Sequence, residues 1–572
     1  MGVNMKNDLT KVSQFEKELD KALENLQSIQ FNGDNCIVSS LQAIEHCYSK
    51  GMDGYSLASV LKKGFDVLVP YFIKSKSEEE VDLAVLIEDL LFASKYYLIR
   101  EYLYYTYNSE DSLLWSFDIN SITIKFNDLT IPRQFASRFN NFLVISEELF
   151  SNKDKSKKIR KLLKGRKEFD IHKNNIDAAD LCCEEANLKL SKYYNFLHKE
   201  SDLSLGKYTY NQFYIVYEAL LTKALYHRYY AQFNYESGTP IIININELLE
   251  GFEIENNIPP NITTEILNDI SFGLDSNKFR IPPMTFALYK INNGQSIVMS
   301  PNSFCLWEGL LSILKIVATK NSKLFLSTIS NHLSKNFTNH IQKMFESNGF
   351  HCLSEVKLSK IDPKLPDIDL MVISVEKTLG YVVYCCELKN PIPPIWSKDY
   401  LKVLEKDNVS KGFKQIDHLK EFFSSDTGIA FLHDKLPKVN NPVFSDGFIT
   451  LINYLIITSN NSGMFFDNMD TNIIDYTTLE IFLKNIDGDM NYFMHLINEY
   501  KENIDKCYSI ETSSLTISDM LIKFEGVTIK NIFNVERNSY RSAGIDEMLA
   551  LDFAKEGLKP FDSLKDFHGK TE

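Results

Sequence analysis

The sequence predicts an α/β core in the C-terminal half of the chain, behind a large and mainly α-helical N-terminal region. Two apolar runs, 370–375 and 381–386, are short, rich in β-branched residues and separated by a turn that ends at Gly380. Such runs are typical of two buried strands of a hairpin. Apolar residues at helical spacing precede and follow this pair of strands. The N-terminal region instead carries long helical stripes, beginning with the stripe over 9–29.

The length and the hydropathy of the chain limit its organisation. At 572 residues it is too long for one hydrophobic core, so three or four domains are expected. We expect a mainly helical region, a helix with a small β module, the α/β domain and a helical extension, over 1–200, 201–300, 301–485 and 486–572. No apolar run approaches the roughly 18 residues that a membrane span needs, and the first residues lack the apolar core of a signal peptide. A cytoplasmic protein without a membrane partner is expected.

Within the first 300 residues, three helices are predicted over 9–29, 60–71 and 81–107, and the clearest strand over 121–124. A long aromatic helix over 207–235 is followed by a strand over 240–245. The segment 281–300 is typical of a strand pair that turns at Asn292-Asn293-Gly294. In the C-terminal extension we expect helices over 490–500 and 545–554, and a segment of mixed character over 515–529.

The net charge of −14 argues against nucleic-acid binding over the whole surface, so an enzyme that acts on DNA would need local basic patches. One such patch is visible in the sequence. Nine of the fifteen residues in 153–167 are Lys or Arg, and one is acidic. This run could contact phosphates, or it could be a solvated helix face.

Acidic residues lie at the adjoining ends of the predicted hairpin. Asp369 directly precedes the first strand, and Glu387 and Lys389 end the second. Because these two ends lie side by side in an antiparallel pair, Asp369 and Glu387 should be close neighbours, with Lys389 on the same face as Glu387. Asp367 is a competing candidate for the aspartate. We prefer Asp369 because the apolar strand begins immediately after it.

A pair of close carboxylates has a chemical use. Two carboxylates repel each other unless a cation lies between them. Mg²⁺ (or Mn²⁺) prefers hard oxygen ligands and usually takes one or two protein carboxylates. The predicted ligands are therefore Asp369 and Glu387, with the Leu388 carbonyl as a third oxygen. Lys389 would then hold the attacking water and offset the charge that builds on a phosphate.

The pattern Asp-Ile-Asp-Leu, followed by Glu-Leu-Lys at the end of a strand, resembles the PD-(D/E)XK nuclease superfamily, the restriction-endonuclease-like enzymes. The resemblance implies a mixed sheet flanked by helices over 301–485, about a third of the chain. It also implies that Asp369 and Glu387 bind the divalent metal and that Lys389 assists hydrolysis of a phosphodiester bond. The expected activity is that of a Mg²⁺-dependent endonuclease acting on nucleic acid, with DNA as the expected substrate.

The flanking segments match the order of elements in that superfamily. They are a helix around 337–345 that stops at Gly349, a strand over 350–358, a helix over 406–423, a strand over 454–458 and a last helix that opens at 475–480. The superfamily often carries a Gln that faces the site from the second of these helices, which here is Gln415. Thr477 or Thr478 is a plausible cap for the last helix. In the Pro-rich loop 391–400, Trp396 and Lys398 could touch nucleic acid, although Trp396 could equally pack on its own domain.

One position departs from the superfamily pattern. The first core helix often adds a Glu to the metal site, and no acidic residue occupies 336–340. A mechanism with one metal ion is therefore favoured over one with two. Many nucleases of this superfamily dimerise to cut two strands, so a homodimer is expected. A regulatory partner or a trigger would act at the large N-terminal region.

Three alternatives remain open for the function. The first is a bacterial defence or restriction-type effector. In such a protein the large N-terminal region would be the sensor, and the nuclease domain joined to it would be the effector. A Holliday-junction or repair nuclease would use the same chemistry on another substrate. A catalytically inactive nuclease-fold scaffold, which only binds nucleic acid or a protein partner, belongs to a different class.

Overall fold

The computed structural model describes residues 8–530, apart from 51, 109–111, 139–152, 165–175, 194–196, 198–200, 235–237, 277–280, 377–379, 392–395, 397, 400, 402–408, 439–447, 460–470 and 518. Over these residues the chain is a mixed α/β structure in which sheets are flanked by helices. The α/β class predicted from the sequence is confirmed.

The N-terminal region starts with four helices and a strand hairpin. These are α1 (Leu9–Glu24), α2 (Gly33–Ser49), α3 (Met52–Phe72), α4 (Leu83–Asn108), β1 (Leu113–Phe117) and β2 (Ser121–Phe126). Asp8 caps α1 by accepting a hydrogen bond from the backbone N–H of Lys11. The apolar stripe predicted for α1 is buried and consists of Val12, Phe15, Leu19 and Leu23. The predicted helices and the predicted strand of this region are confirmed.

The middle of the chain contains a helical part and a small sheet. Its elements are α5 (Lys153–Leu163), α6 (Ile176–Tyr193), α7 (Tyr210–Phe233), β3 (Ile241–Asn244), α8 (Ile245–Asn256), α9 (Pro260–Ile270), β4 (Ser271–Phe272), β5 (Leu288–Ile291) and β6 (Ser296–Met299). The strands pair in the order β3-β6-β5-β4. The predicted turn at Asn292-Asn293-Gly294 joins β5 to β6, and all three residues have positive φ. The predicted strand pair is therefore confirmed.

The second half of the chain is built on a five-stranded sheet. Its elements are α10 (Pro301–Leu306), α11 (Gly309–Lys320), α12 (Ser330–Ser347), β7 (His351–Val356), β8 (Ile368–Glu376), β9 (Gly380–Lys389), α13 (Val409–Phe423), α14 (Asp426–Lys435), β10 (Ile449–Thr458), β11 (Asn472–Asp475) and α15 (Tyr476–Ile486). Strands β7, β8 and β9 pair antiparallel, whereas β9, β10 and β11 run parallel. The strand order is β11-β10-β9-β8-β7.

Most predicted elements of this half are confirmed. The helices α10, α11 and α14 and the strand β11 were not predicted from the sequence. The cap of α15 is Asp475, not Thr477 or Thr478. The Asp475 carboxylate accepts hydrogen bonds from the backbone N–H groups of both threonines, at 3.0 and 3.1 Å. A carboxylate on the residue before the first helical turn reaches these N–H groups more directly than a hydroxyl inside that turn.

The C-terminal extension contains a long hairpin as well as a helix. Helix α16 (Met490–Asn503) confirms the prediction over 490–500, but β12 (Tyr508–Ile517) and β13 (Met520–Ile529) form strands where a helical extension was expected. Strand β13 pairs in parallel with β2, so the sheet order is β1-β2-β13-β12. The helix expected over 545–554 lies outside the described residues. The hairpin was missed because the Ser- and Thr-rich sequence of β12 gave a weak strand signal, and the outer partner of β13 lies about 400 residues away in sequence.

The two faces of the five-stranded sheet pack against different helices. Val382, Tyr384 and Cys386 of β9 belong to the largest apolar cluster, which includes residues of α12 and α15. Val383 and Cys385 face the other way and pack with residues of α13. Odd-numbered side chains at the end of β9 therefore point towards α13. None of the described helices combines the length and the apolar content that crossing a bilayer requires.

Candidate functional site

Asp369 and Glu387 come together at the adjoining ends of β8 and β9, as the hairpin predicted. Leu370 lies opposite Cys386 in the antiparallel ladder. Asp369, one residue before Leu370, and Glu387, one residue after Cys386, therefore occupy the next position of the register. The Asp369 Oδ2 atom accepts a hydrogen bond of 2.8 Å from the backbone N–H of Leu388. This bond fixes the Asp369 carboxylate against the end of β9.

Glu387 is an almost fully buried carboxylate, with 2 % of its side chain exposed. Its Oε1 atom accepts a hydrogen bond from the Lys389 ammonium group. Its Oε2 atom is buried and has no hydrogen-bond partner among the described residues. Burial, and then the neighbouring Asp369 carboxylate, raise the pKa of Glu387 to about 7, although Lys389 acts in the opposite direction. Near neutral pH this carboxyl group is therefore poised to bind either a proton or a cation.

Lys389 is held between a strand and a helix. Its ammonium group donates to Glu387 and, over 2.9 Å, to the Oε1 atom of Gln415 on α13. The Lys389 side chain is 11 % exposed, and the Asp369 side chain is half-buried, so both lie near the surface end of the site. Gln415 thus faces the site from the second flanking helix, where the sequence placed it.

The residues present fit a hard divalent cation. Asp369 and Glu387 supply two carboxylates that lie close enough to interact, and the Oε2 atom of Glu387 has no hydrogen-bond partner among the described residues. In an antiparallel strand the N–H and the C=O of one residue point to the same side, so the Leu388 carbonyl faces β8 as its N–H does. Within the described ranges, no group of three or more His, Cys, Asp or Glu side chains could hold a metal ion. The oxygen atoms that could coordinate such an ion at this site are those of the two carboxylates and the Leu388 carbonyl.

The competing aspartate has a different role. Asp367 accepts hydrogen bonds from the backbone N–H and the hydroxyl of Ser359, at 3.1 and 2.9 Å, and an ion pair of 3.0 Å from Lys357. Slight burial tends to raise the pKa of Asp367, but the bonds from Ser359 and Lys357 outweigh it and lower the pKa. Asp367 therefore anchors the connection between β7 and β8.

Substituting the two aspartates separately tests this division of roles. Asp369→Asn is expected to abolish any metal-dependent cleavage, because it removes one of the two carboxylates at the site. Asp367→Asn is expected to leave most of any such cleavage and to lower the melting temperature, because it loosens the 357–367 connection. Cleavage rates and melting curves of both variants provide the check. A greater loss of activity in Asp367→Asn would assign the ligand role to Asp367.

Gly412 is a site residue that the sequence analysis did not single out. It lies on α13, one turn before Gln415, where this helix packs closely on the end of β9. A Cβ atom at this position would lie 3.0 Å from Lys389 Cε, 3.2 Å from Ile456 Cδ1 and 3.5 Å from Glu387 Cγ. A glycine in the middle of a predicted helix was the available signal, because glycine there usually has a packing reason.

Gly412→Ala should separate stability from activity. Alanine favours a helix over glycine by up to about 1 kcal/mol, so the fold should not suffer strongly. The added methyl group should displace the Lys389 side chain, and a displacement of about 1 Å at a reacting group can cost about 100-fold in rate. The matched control is Gly251→Ala in α8, where the added Cβ meets nothing within 4 Å. Unchanged cleavage rates in Gly412→Ala would show that α13 does not position Lys389.

A strained glutamate lies beside the site on β7. Ser354 pairs with Leu370 and Val356 with Ile368, which leaves Glu355 across from Asp369 in the register. Glu355 has a φ of 51°, in the left-handed region that residues other than glycine rarely adopt. Hydrogen bonding and charge from Asp367 raise the pKa of Lys357, and Glu355 and Asp369 add to this effect. Lys357 therefore brings a second cation to the rim of the site.

The segment that follows Lys389 lies against the N-terminal region. Trp396 makes an edge-to-face contact with Tyr104 of α4, with 4.9 Å between the ring centroids, and the Lys398 ammonium group lies 5.8 Å from both rings. Asp399 forms an ion pair with Lys315 of α11. Trp396 therefore packs against the N-terminal region, and Lys398 lies beside it.

The chain was compared with protein-family models, with curated proteins and with solved structures, and nothing matches it. The function must therefore be inferred from the geometry of the Asp369, Glu387 and Lys389 cluster itself.

Proposed function

We propose that the protein is a metal-dependent nuclease that hydrolyses phosphodiester bonds. One observation carries this proposal. Asp369 and a buried Glu387 with an unpartnered oxygen converge beside a lysine at the adjoining ends of paired strands. Buried like charges destabilise a fold, and clusters with strongly perturbed pKa values concentrate at functional sites.

Each side chain has a role in this proposal. Asp369, Glu387 and the Leu388 carbonyl would hold Mg²⁺ or Mn²⁺, which when bound supplies Lewis-acid stabilisation of the phosphate charge. Lys389 would orient the attacking water and offset the negative charge that builds on the phosphate in the transition state. Gln415 accepts a hydrogen bond from the Lys389 ammonium group and thereby fixes its direction. Gln415 is in this sense a positioning residue.

The finer assignment follows from the resemblance to PD-(D/E)XK nucleases. The proposed core is restriction-endonuclease-like, the proposed substrate is DNA, and the proposed setting is a defence or restriction-type effector. A homodimer would allow both strands to be cut. The contact of Trp396 with Tyr104 supports a regulatory role for the N-terminal region, because it connects α4 to the segment between β9 and α13.

A digestion experiment tests the activity. Wild type and Lys389→Ala are incubated with supercoiled plasmid, linear duplex, single-stranded DNA and RNA, with Mg²⁺, with Mn²⁺ and with a chelator. Cleavage by the wild type that requires metal and disappears in Lys389→Ala would establish the nuclease and identify its substrate. If all four substrates remain intact with every metal, the nuclease proposal fails, and the inactive scaffold that binds nucleic acid or a protein partner takes its place.

A further inference from the structure

Helix α5 is fixed in orientation by the residues of its inner face. Ile159 and Leu163 are fully buried in the largest apolar cluster. Lys155 forms an ion pair of 3.0 Å with Glu184 of α6, and the Arg160 guanidinium lies 5.9 Å from the ring centroid of Phe233 on α7. These contacts leave the opposite face of α5 pointing outwards.

That outer face carries four exposed lysines. We call them the basic stripe, and they are Lys157, Lys158, Lys161 and Lys164. Their spacing places them on one side of the helix, over about 10 Å along its axis. Lys157 lies 3.6 Å from the Asp154 carboxylate, whereas the other three have no ion pair with any residue that the structure describes.

Such a stripe is unfavourable in isolation. Like charges one helical turn apart destabilise a helix, typically by a few tenths of a kcal/mol for each pair. The chain as a whole has a net charge of −14. The acidic residue of α6 that pairs with α5 is Glu184, and it contacts Lys155, which is not part of the stripe. The stripe therefore presents a local positive potential on an otherwise negative molecule.

The character of the helix favours nucleic acid over a membrane as the partner. A helix that binds a bilayer surface needs an exposed apolar face beside its cations. In α5 the apolar residues Ile159 and Leu163 are buried in the protein core and are not available to lipid. A length of about 10 Å corresponds to about three phosphates along one strand of duplex DNA.

We propose that the basic stripe binds the phosphodiester backbone of the nucleic acid on which the protein acts. This inference rests on the proposed nuclease function for its partner. The contacts are to phosphates, so they contribute affinity without sequence preference. They also give the acidic chain the local basic surface that binding to a polyanion requires.

The salt dependence of binding tests the basic stripe. Full-length protein is titrated against labelled duplex DNA, single-stranded DNA and RNA in the presence of a chelator, over a range of salt concentrations. The variant Lys158→Gln/Lys161→Gln/Lys164→Gln should lower the slope of log Kd against log salt by about 2 to 3 for duplex DNA, because each lost phosphate contact removes about 0.9. The matched control Lys17→Gln/Lys21→Gln/Lys76→Gln removes the same charge from exposed lysines elsewhere and should keep the wild-type slope.

Several results would overturn the inference. The first two are an unchanged slope in the stripe variant and an equal decrease of the slope in the control variant. The third is the absence of binding of the wild type to any nucleic acid. The fourth comes from a parallel titration with vesicles that contain phosphatidylserine, if the stripe variant loses binding to the vesicles but not to nucleic acid. The cleavage assay keeps the two proposals apart. If the stripe variant cleaves nucleic acid and its salt slope equals that of the wild type, the basic-stripe inference fails and the nuclease proposal stands. If the wild type cleaves nothing but its binding depends on the stripe, the nuclease proposal fails and the basic-stripe inference stands.

Discussion

Replacing Lys389 by alanine is expected to lower the rate of phosphodiester cleavage by about 100- to 1,000-fold or more, as for the loss of one stabilising donor at a transition state. Lys389 is the cation that β9 and α13 jointly hold beside Asp369 and Glu387. Glu387→Ala should have an effect at least as large, because it removes one of the two carboxylates. Gln415→Ala should cause a smaller loss, since it frees the lysine without removing it.

Initial rates on the identified substrate measure these effects, and circular dichroism shows whether each variant folds. Lys484→Ala is the matched control, because Lys484 is an exposed lysine that pairs with Glu480 on α15. Its rate should equal that of the wild type. A Gln415→Ala variant slower than Lys389→Ala would mean that Gln415 acts on the substrate directly rather than through the lysine.

The stability of the metal-free protein should decrease between pH 5 and pH 8.5, and Glu387 should cause much of this decrease. The pKa of Glu387 is about 7 in the folded chain and about 4.5 in the unfolded chain. A raised carboxyl pKa stabilises the fold fully below the unfolded value, and this stabilisation is lost as the pH rises through the folded value. The shift corresponds to about 3 kcal/mol in total, of which about 2 to 3 kcal/mol falls within this pH interval.

Glu387→Gln removes this titration and should therefore become more stable relative to the wild type as the pH rises. Melting temperatures of both proteins in a chelator, from pH 5 to pH 8.5, give the comparison. Adding Mg²⁺ or Mn²⁺ at pH 8 should raise the melting temperature of the wild type and leave that of Glu387→Gln nearly unchanged, because a ligand stabilises only the state that binds it. A metal effect of equal size in both proteins would place the bound ion elsewhere.

The convergence of the candidate site residues was more predictable from the sequence than the architecture around them. Asp369, Glu387 and Lys389 lie on one hairpin, whose register follows from two apolar runs and one turn, so local patterns were sufficient. Gln415 followed from the resemblance and from helical spacing. The close approach of Gly412 to Lys389 depends on how α13 packs on β9, and the strain at Glu355 depends on how β7 pairs with β8. Neither feature can be predicted from the sequence of a single helix or strand.

The same limit explains the errors in the outer regions. The contact between Trp396 and Tyr104 joins positions nearly 300 residues apart, and the partner of β13 is the distant β2. Strand preference depends on the neighbours that a strand finds in the sheet, so the Ser- and Thr-rich segment of β12 gave a weak signal alone. The largest apolar cluster also draws residues from α5 through β12. Sequence patterns could not show that these segments share one core.

The parallel pairing of β2 with β13 has a consequence for the synthesis of the chain. The β1-β2 hairpin leaves the ribosome about 400 residues before β13 does, which is about 20 to 80 s of translation at typical rates. During this time one edge of β2 waits for a partner and is open to pairing with another nascent chain. The N-terminal region can therefore complete its sheet only after β13 has been made, and a message that stops before β13 would release a protein with an open sheet edge.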